Sequence, residues 1–308
     1  MNETSNRAQA WVAAMRPRTL PLTVACVTMG VFLAAATGAL RWLPAVLTLV
    51  TALLLQVLSN LANDYGDSVH GADRVAERQG PQRAVQSGAI SAESMRRAIV
   101  MTAMLAMISG LALVWSSFGR NHLPAILFFL SLGGLAVWAA IRYTVGRRPY
   151  GYTGLGDLFV LLFFGWVGVI GTYYLQTQSW RADIFLPATS CGLLAVAVLN
   201  VNNMRDMLSD RQAGKQSLPV RLGLTGARRY HSLLLVGAVL AGLIYTLLHV
   251  VSPWQFLFLL SLPGLARHLS AIWRTPPAQF DPLLRQMALT SLLFVFTFGL
   301  GQWLAAAI

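Results

Sequence analysis

The sequence predicts an all-α integral membrane protein: one bundle of nine transmembrane helices, forming a single domain over residues 1–308. Three observations predict it. The 308 residues are 56% hydrophobic and only 11% charged, against about 25% charged in an ordinary soluble domain. The charges bracket uncharged runs long enough to span a bilayer, which takes roughly 20 apolar residues. The basic residues gather in alternate loops. This composition excludes a soluble globular enzyme, a disordered chain and a coiled coil.

The spans follow from the charges in order. Arg18 to Arg41, Arg41 to Asp64, Arg97 to Arg120, Arg120 to Arg142, Asp157 to Arg181 and Asp183 to Arg205 each enclose one. The stretch from Arg229 to Arg267 is too long for a single helix, and Ser252-Pro253 divides it, because proline ends or kinks a helix. Its second half must run past Arg267. The last span follows Arg285. The first run is a mature helix: the segment before it is polar, holds Arg7, Arg16 and Arg18, and lacks the pattern of a cleavable signal. Cys26 and Cys191 lie in apolar stretches, with neither a metal-type cluster nor a disulfide pattern.

Nine spans place 20 of the 23 basic residues on the side of the N-terminus and leave Arg41, Arg120 and Arg181 on the other. The positive-inside rule then makes the N-terminus cytoplasmic. The net charge of +12 is read as orientation and not as a nucleic-acid footprint; no nucleic-acid partner is expected.

Ten of the 11 acids also fall on the cytoplasmic side, Asp183 being the exception. Acids contribute little to orientation, so these need another reason. In a first loop (about 60–97), Asn60, Asn63, Asp64 and Asp67 have helical spacing, and Asp73, Glu77 and Arg83 follow. In a second (about 202–229), Asn202, Asn203, Asp206 and Asp210 repeat the pattern, followed by Gly214 and Lys215. Asn and Asp are ordinary at helix ends on a membrane surface, but two matching clusters on one face are not. Like charges one turn apart repel, and a divalent cation removes that cost. Carboxylates and amide oxygens are the ligands Mg²⁺ takes, typically one or two carboxylates plus substrate phosphate oxygens. Two facing clusters with Arg and Lys nearby therefore suit a metal-bridged diphosphate. A third loop, after span four, carries Tyr143, Arg147, Arg148 and a Pro/Gly-rich run to Asp157. By composition alone it reads as a positive-inside loop with interfacial tyrosines. Asp157 either caps helix five or faces the pocket. His70, in the first loop, is a possible proton carrier, and His122, His231, His249 and His268 read as residues near helix ends.

These residues carry a resemblance to the UbiA superfamily of intramembrane prenyltransferases. Asn63-Asp64-Tyr65-Gly66-Asp67 resembles its first Asp-rich motif, and Asp206 with Asp210 its second. Tyr143 with Arg147 and Arg148 resembles the Tyr-xxx-Lys/Arg element after helix four, and Arg18 a basic residue opening helix one. The phrases RPRTLPL, LQVLSNLANDYGD, YTVGRRPYGYTGLGD and NVNNMRDMLSDRQAGK are similar to the branch that prenylates 1,4-dihydroxy-2-naphthoate in bacterial menaquinone synthesis. One departure is that Gly71 and Gly214 stand where each motif often has a third acid; Asp73 is the possible substitute in the first loop.

The resemblance implies Mg²⁺-dependent transfer of a polyprenyl chain from its diphosphate to 1,4-dihydroxy-2-naphthoate, in the bacterial inner membrane, with the site facing the cytoplasm. Asn63, Asp64 and Asp67 are expected to hold one Mg²⁺, and Asp206 and Asp210 a second. Arg18, Asn60, Arg83, Arg147, Arg148 and Lys215 are expected to serve substrate, and Asp67, Asp206 and Tyr143 catalysis. Tyr65, Phe163, Phe164, Trp166 and Tyr143 are candidate walls of a water-poor pocket. No obligate protein partner is expected. Within the family, 4-hydroxybenzoate is the alternative acceptor. A transporter is the rival from another class, but transporters place ionisable groups near the midplane, and here no span interior holds a charge. A phosphatidyl-alcohol transferase would need a DGxxAR run, which is absent.

Overall fold

The structure is a computed structural model that describes residues 3–69 and 83–308. His70, Gly71, Asp73 and Glu77 lie outside the described residues. Nine described helices are long and apolar enough to cross a membrane: α1 (Arg7–Ala35), α2 (Trp42–Val69), α3 (Ala92–Phe118), α4 (Leu123–Arg142), α5 (Gly156–Thr177), α6 (Ala182–Arg205), α7 (Leu218–Leu248), α8 (Pro253–Arg274) and α9 (Asp281–Ala306). They follow the spans read from the charges, and no strand occurs among the described residues. The chain is a multi-pass membrane protein.

Local chemistry sets the irregularities. Arg16 takes a left-handed backbone (φ 51) before Pro17 and breaks α1, since a residue preceding proline avoids the helical region. Ser252 and Gln255 form a capping box over the start of α8. α8 then runs as a 3-10 helix over Pro253–Ser261 and as an α-helix over Leu262–Arg274, past Arg267 as its length required. α5 is π-helical over Leu161–Gly171.

The helices bury two principal cores. The larger is built from α1, α5, α6, α7, α8 and α9, with Met29, Val169, Met204, Phe258 and Phe294 fully enclosed. The smaller joins the segment before the α1 break to α2, α3 and the turn after Arg83, around Leu58, Leu61 and Met95. α4 packs on α2 and α3. A cavity of ≈340 Å³ separates α4 from α5, lined by Gly133 and Ala136 on one side and by Phe159, Phe163 and Gly171 on the other. The two helices approach each other near one end, where Phe129 stacks on Tyr174 at 5.9 Å; near the other, the loop between them closes on α4, the Tyr150 hydroxyl donating to the Ala139 carbonyl at 2.8 Å.

Buried polar groups tie helices together. Arg41 donates to the carbonyls of Ser116 (2.6 Å) and Ser117 (2.9 Å), the unsatisfied end of α3, where a cation also suits the helix dipole. His231 and His268 are not helix-end residues of no consequence, as their sequence position implied. They are fully buried, with Nε2 atoms 3.1 Å apart, and Asn200 approaches His231 Nδ1 at 3.4 Å. This staple joins α6, α7 and α8.

Gly66 is the tightest crossing near the polar end. A Cβ there would sit 2.6 Å from Thr144 Oγ1 and 2.7 Å from the Thr144 carbonyl oxygen. Gly66→Ala is expected to push α2 off the loop after α4 and cost about 1–3 kcal/mol, the range for overpacking. A lowered midpoint in a detergent-solubilised thermal melt checks this; an unchanged midpoint would mean that the contact yields freely.

Candidate active site

The carboxylates and their cations converge where α2 and α6 end and where α5, α7 and α9 begin. α2 stays helical through Val69, so its polar residues keep steps of three and four, but each takes a different task. Asp67 is 2% exposed. It accepts the Tyr152 hydroxyl at 2.7 Å and pairs with the Arg83 guanidinium. Asp64 accepts the backbone amides of Ala84 and Val85, both at 3.1 Å, and so clasps the returning loop. Asn60 donates to the Met15 carbonyl at 2.9 Å, satisfying the end of the segment before the α1 break. The Asn63 side-chain oxygen accepts the Thr144 hydroxyl at 3.1 Å, and its carbonyl accepts from Arg83.

The second cluster is not one helical ladder. α6 ends at Arg205, Asp206 has φ −92 and ψ 8, and a short helix, Met207–Gln212, follows. Arg205 grips Asp206 with two bonds of 2.8 Å. Asp210 faces Lys215 at 3.3 Å. Gly214 adopts φ +73, a left-handed turn that glycine takes without strain. That turn lets the Lys215 amide donate back to the Asp210 carbonyl at 2.8 Å. A backbone requirement thus accounts for glycine at this position.

Lys215 joins the two clusters. Burial pulls its ammonium down, but the facing Asp210 and Asp67 carboxylates outweigh burial and hold it above the ordinary lysine value. It also lies 5.6 Å from the Tyr152 ring centre. Burial pushes the Asp210 carboxyl up, Lys215 pulls it back, and Asp206 and Asp67 add to the rise. Burial likewise raises the Tyr143 hydroxyl, with Lys215 opposing. A neighbouring network completes the rim: Arg205 and Arg18 both reach Asp281, Arg18 at 3.4 Å.

The structure brings together Asp67, Arg83, Asp206, Asp210, Lys215, Tyr143 and Arg18. It does not bring in Arg147 and Arg148, which are exposed and form no hydrogen bond or ion pair with another described residue. Asp157 is buried in the first turn of α5, with its carboxyl against its own backbone N–H, and accepts the Tyr230 hydroxyl at 3.0 Å. Sequence reasoning missed Tyr152, Arg16, Arg205 and Asp281. Tyr152 lies in the Pro/Gly-rich run before Asp157, and Asp281 stands out in the sequence as the only acid after Asp210.

Below this rim the cavity carries an aromatic wall. Tyr143 meets Tyr150 edge-on at 5.4 Å, Tyr150 stacks on Phe159 at 3.9 Å, and Phe159 on Phe163 at 6.2 Å. All four line the cavity, as does Phe164. Tyr65 and Trp166 do not: Tyr65 packs in the smaller core, and Trp166 donates to Thr189 at 3.1 Å. Across from the aromatics stand Thr19, Gln56 and Asn60, and Arg16 lines the mouth.

The donor set fits a divalent cation shared with a ligand. Among the described residues, no three His, Cys or acidic side chains close around a point as a protein-only cage. Paired carboxylates at the mouth match Mg²⁺, which takes few protein ligands and completes its shell from phosphate.

A profile of the UbiA prenyltransferase family matches residues 23–292. The chain belongs to the UbiA prenyltransferase family. It is therefore an intramembrane prenyltransferase. It is 48% identical over 305 residues to the 1,4-dihydroxy-2-naphthoate octaprenyltransferase of Escherichia coli K12, covering 97% of this chain and 98% of that one. It is 45% identical to the Haemophilus influenzae protein of the same name, covering 96% of each. In fold it resembles a UbiA homolog from Aeropyrum pernix (TM-score 0.64, 16% identity, 87% of this chain and 94% of that one). It also resembles one from Archaeoglobus fulgidus solved with DMAPP and Mg²⁺ (TM-score 0.55, 15% identity, 91% and 98%).

Removing Lys215 has a definite sign. The ammonium lowers the Asp210 pKa, so Lys215→Met raises it, and the ionised form then exists only at higher pH. The acidic limb of the pH–rate profile is expected to move to higher pH. A lower rate with an unmoved limb would show that Lys215 does not tune Asp210.

Proposed function

We propose that the protein transfers a polyprenyl chain from polyprenyl diphosphate to 1,4-dihydroxy-2-naphthoate in a Mg²⁺-dependent reaction of menaquinone biosynthesis, releasing CO₂ and diphosphate. The observation that carries this reading is the union of two carboxylate clusters around Lys215 at the mouth of an apolar, aromatic-walled cavity. A substrate with a charged head and a long apolar tail matches both parts. The identity to the naphthoate enzymes supports the choice of acceptor.

Asp67 with Asn63, and Asp206 with Asp210, would hold Mg²⁺; Asp64, committed to two amides, contributes mainly to the loop. Bound there, Mg²⁺ would supply charge neutralisation for the departing diphosphate. Lys215, Arg83 and Arg18 add fixed positive charge where negative charge develops. The C1–O bond of the allylic diphosphate breaks, and diphosphate keeps the bonding pair. Tyr143, Tyr150 and Phe159 offer π faces to the allylic cation and, with the cavity walls, exclude water that would capture it. The ring carbon bearing the carboxylate attacks and forms the new C–C bond. The C–CO₂⁻ bond then breaks, its electrons restore aromaticity, and CO₂ leaves. The polar wall of Thr19, Gln56 and Asn60 suits the acceptor's hydroxyl groups, and the isoprenoid tail lies between α4 and α5 or emerges into lipid.

The distribution of 20 of 23 basic residues on one side supports a cytoplasm-facing site in the bacterial inner membrane. Both cores border the cavity, which supports one catalytic domain over 1–308.

Purified protein in lipid nanodiscs, supplied with Mg²⁺, a polyprenyl diphosphate and a panel of aromatic acids, tests the reading. Mass spectrometry is expected to find decarboxylated prenyl-naphthoquinol. Product from 4-hydroxybenzoate alone overturns the acceptor. Asp67→Asn and Asp206→Asn are each expected to abolish transfer while the protein remains inserted; full activity in both would refute the two-cluster site. Gln56→Leu is expected to raise the acceptor KM about fivefold, the size of one lost neutral hydrogen bond of about 1 kcal/mol, with the diphosphate KM unchanged.

A further inference from the structure

We infer that Asp281 is a positioning residue for the diphosphate end of the site, holding Arg205 and Arg18 in register while Asp206 is engaged with a cation. The inference rests on the prenyl-transfer reading above.

Arg205 has a side chain only 2% exposed, and its donors are almost fully assigned. Nε and one Nη2 hydrogen go to Asp206, each at 2.8 Å; Nη2 also reaches Asn202 at 3.0 Å, and Nη1 reaches Asp281. A guanidinium presents five N–H donors in a rigid plane, so Asp206 occupies one edge and Asp281 the opposite end. When Asp206 turns to a cation, that edge loses its partner. A buried guanidinium without a partner is costly, and a diphosphate matches the same two-pronged edge. The exchange of carboxylate for phosphate works only if the guanidinium plane stays in place. Asp281 and Asn202 are the groups that keep it there.

The same Asp281 oxygen lies 3.4 Å from Arg18. One carboxylate therefore sets two cations from different helices, α1 and α6, that otherwise repel. Asp281 sits in the first turn of α9, where the helix dipole favours a negative charge. Its ion pairs among the described residues are both with these arginines, so its effect passes through them. Without it, Arg205 keeps Asp206 as its only carboxylate and releases it less readily.

The test uses the full chain in nanodiscs. Asp281→Asn is expected to raise the diphosphate KM about tenfold, as for one lost hydrogen bond to a charged group, and to leave the acceptor KM unchanged. Calorimetric titration with inorganic diphosphate and Mg²⁺ is expected to show the same loss in Kd. Asp281→Glu is expected to recover most of it, and Arg285→Gln, one turn along α9, to change neither. Should Asp281→Asn fail to fold, Arg205→Lys, which keeps the charge but loses the planar fork, is expected to give the same diphosphate-selective loss. Unaltered diphosphate binding in Asp281→Asn overturns the inference, as does equal damage to both KM values with no recovery in Asp281→Glu. A wild type that binds diphosphate but prenylates no aromatic acid overturns the functional reading instead, and the titration still decides Asp281.

Discussion

A carboxylate at the end of a membrane helix stays ionised either by reaching water or by meeting a cation, and leaving it buried and unpaired costs several kcal/mol. Here the acids at the mouth are largely enclosed, and each is met by a cation or donor from another part of the chain. Arg83 returns from beyond the first Asp-rich segment to Asp67, Lys215 turns back onto Asp210, and Arg205 closes on Asp206. Tyr152, from the loop between α4 and α5, touches both Asp67 and the space over Lys215. The pairing assembles the mouth from loops that are far apart in sequence. It also stocks the mouth with cations suited to an anionic substrate.

The second constraint is apolar. The larger core draws six helices together, and the smaller holds α2 and α3 against the segment before the α1 break. α4 belongs to the smaller side and α5 to the larger. They meet at one end through Phe129 and Tyr174 and are bridged at the other by the loop that carries Tyr150, and the space between them is lined by small residues and stacked rings. Charged mouth and apolar interior are thus consequences of one arrangement: two packed units joined at their ends.

Much of this was legible in the residues. Arg and Asp punctuation located the spans, because charge inside a lipid-facing helix is costly. The paired Asn/Asp clusters marked the site, since no rule of topology explains acids on one face. Other features were not legible. Asp64 and Asp67 look equivalent in the chain, yet one clasps backbone amides and the other faces Arg83. The spacing of Asp206 and Asp210 suggested one helix, but the chain breaks at Asp206. Arg147 and Arg148 matched a motif and remain exposed, whereas Arg205 and Asp281 matched nothing and became central. The buried His231–His268 contact has no counterpart in local pattern.

The sequence by itself determined the class of protein, the number of its spans, the presence of two acidic clusters and the family they resemble. Composition and spacing carry that information because hydrophobic length and charge cost act on each segment separately. Tertiary structure alone decided which acid meets which cation, that both clusters share Lys215, and that α9 supplies Asp281 to arginines from α1 and α6. It also decided that an aromatic-walled space opens between α4 and α5. These depend on distances between residues remote in the chain, and electrostatic pairing and packing act on distance in space, which local pattern does not encode.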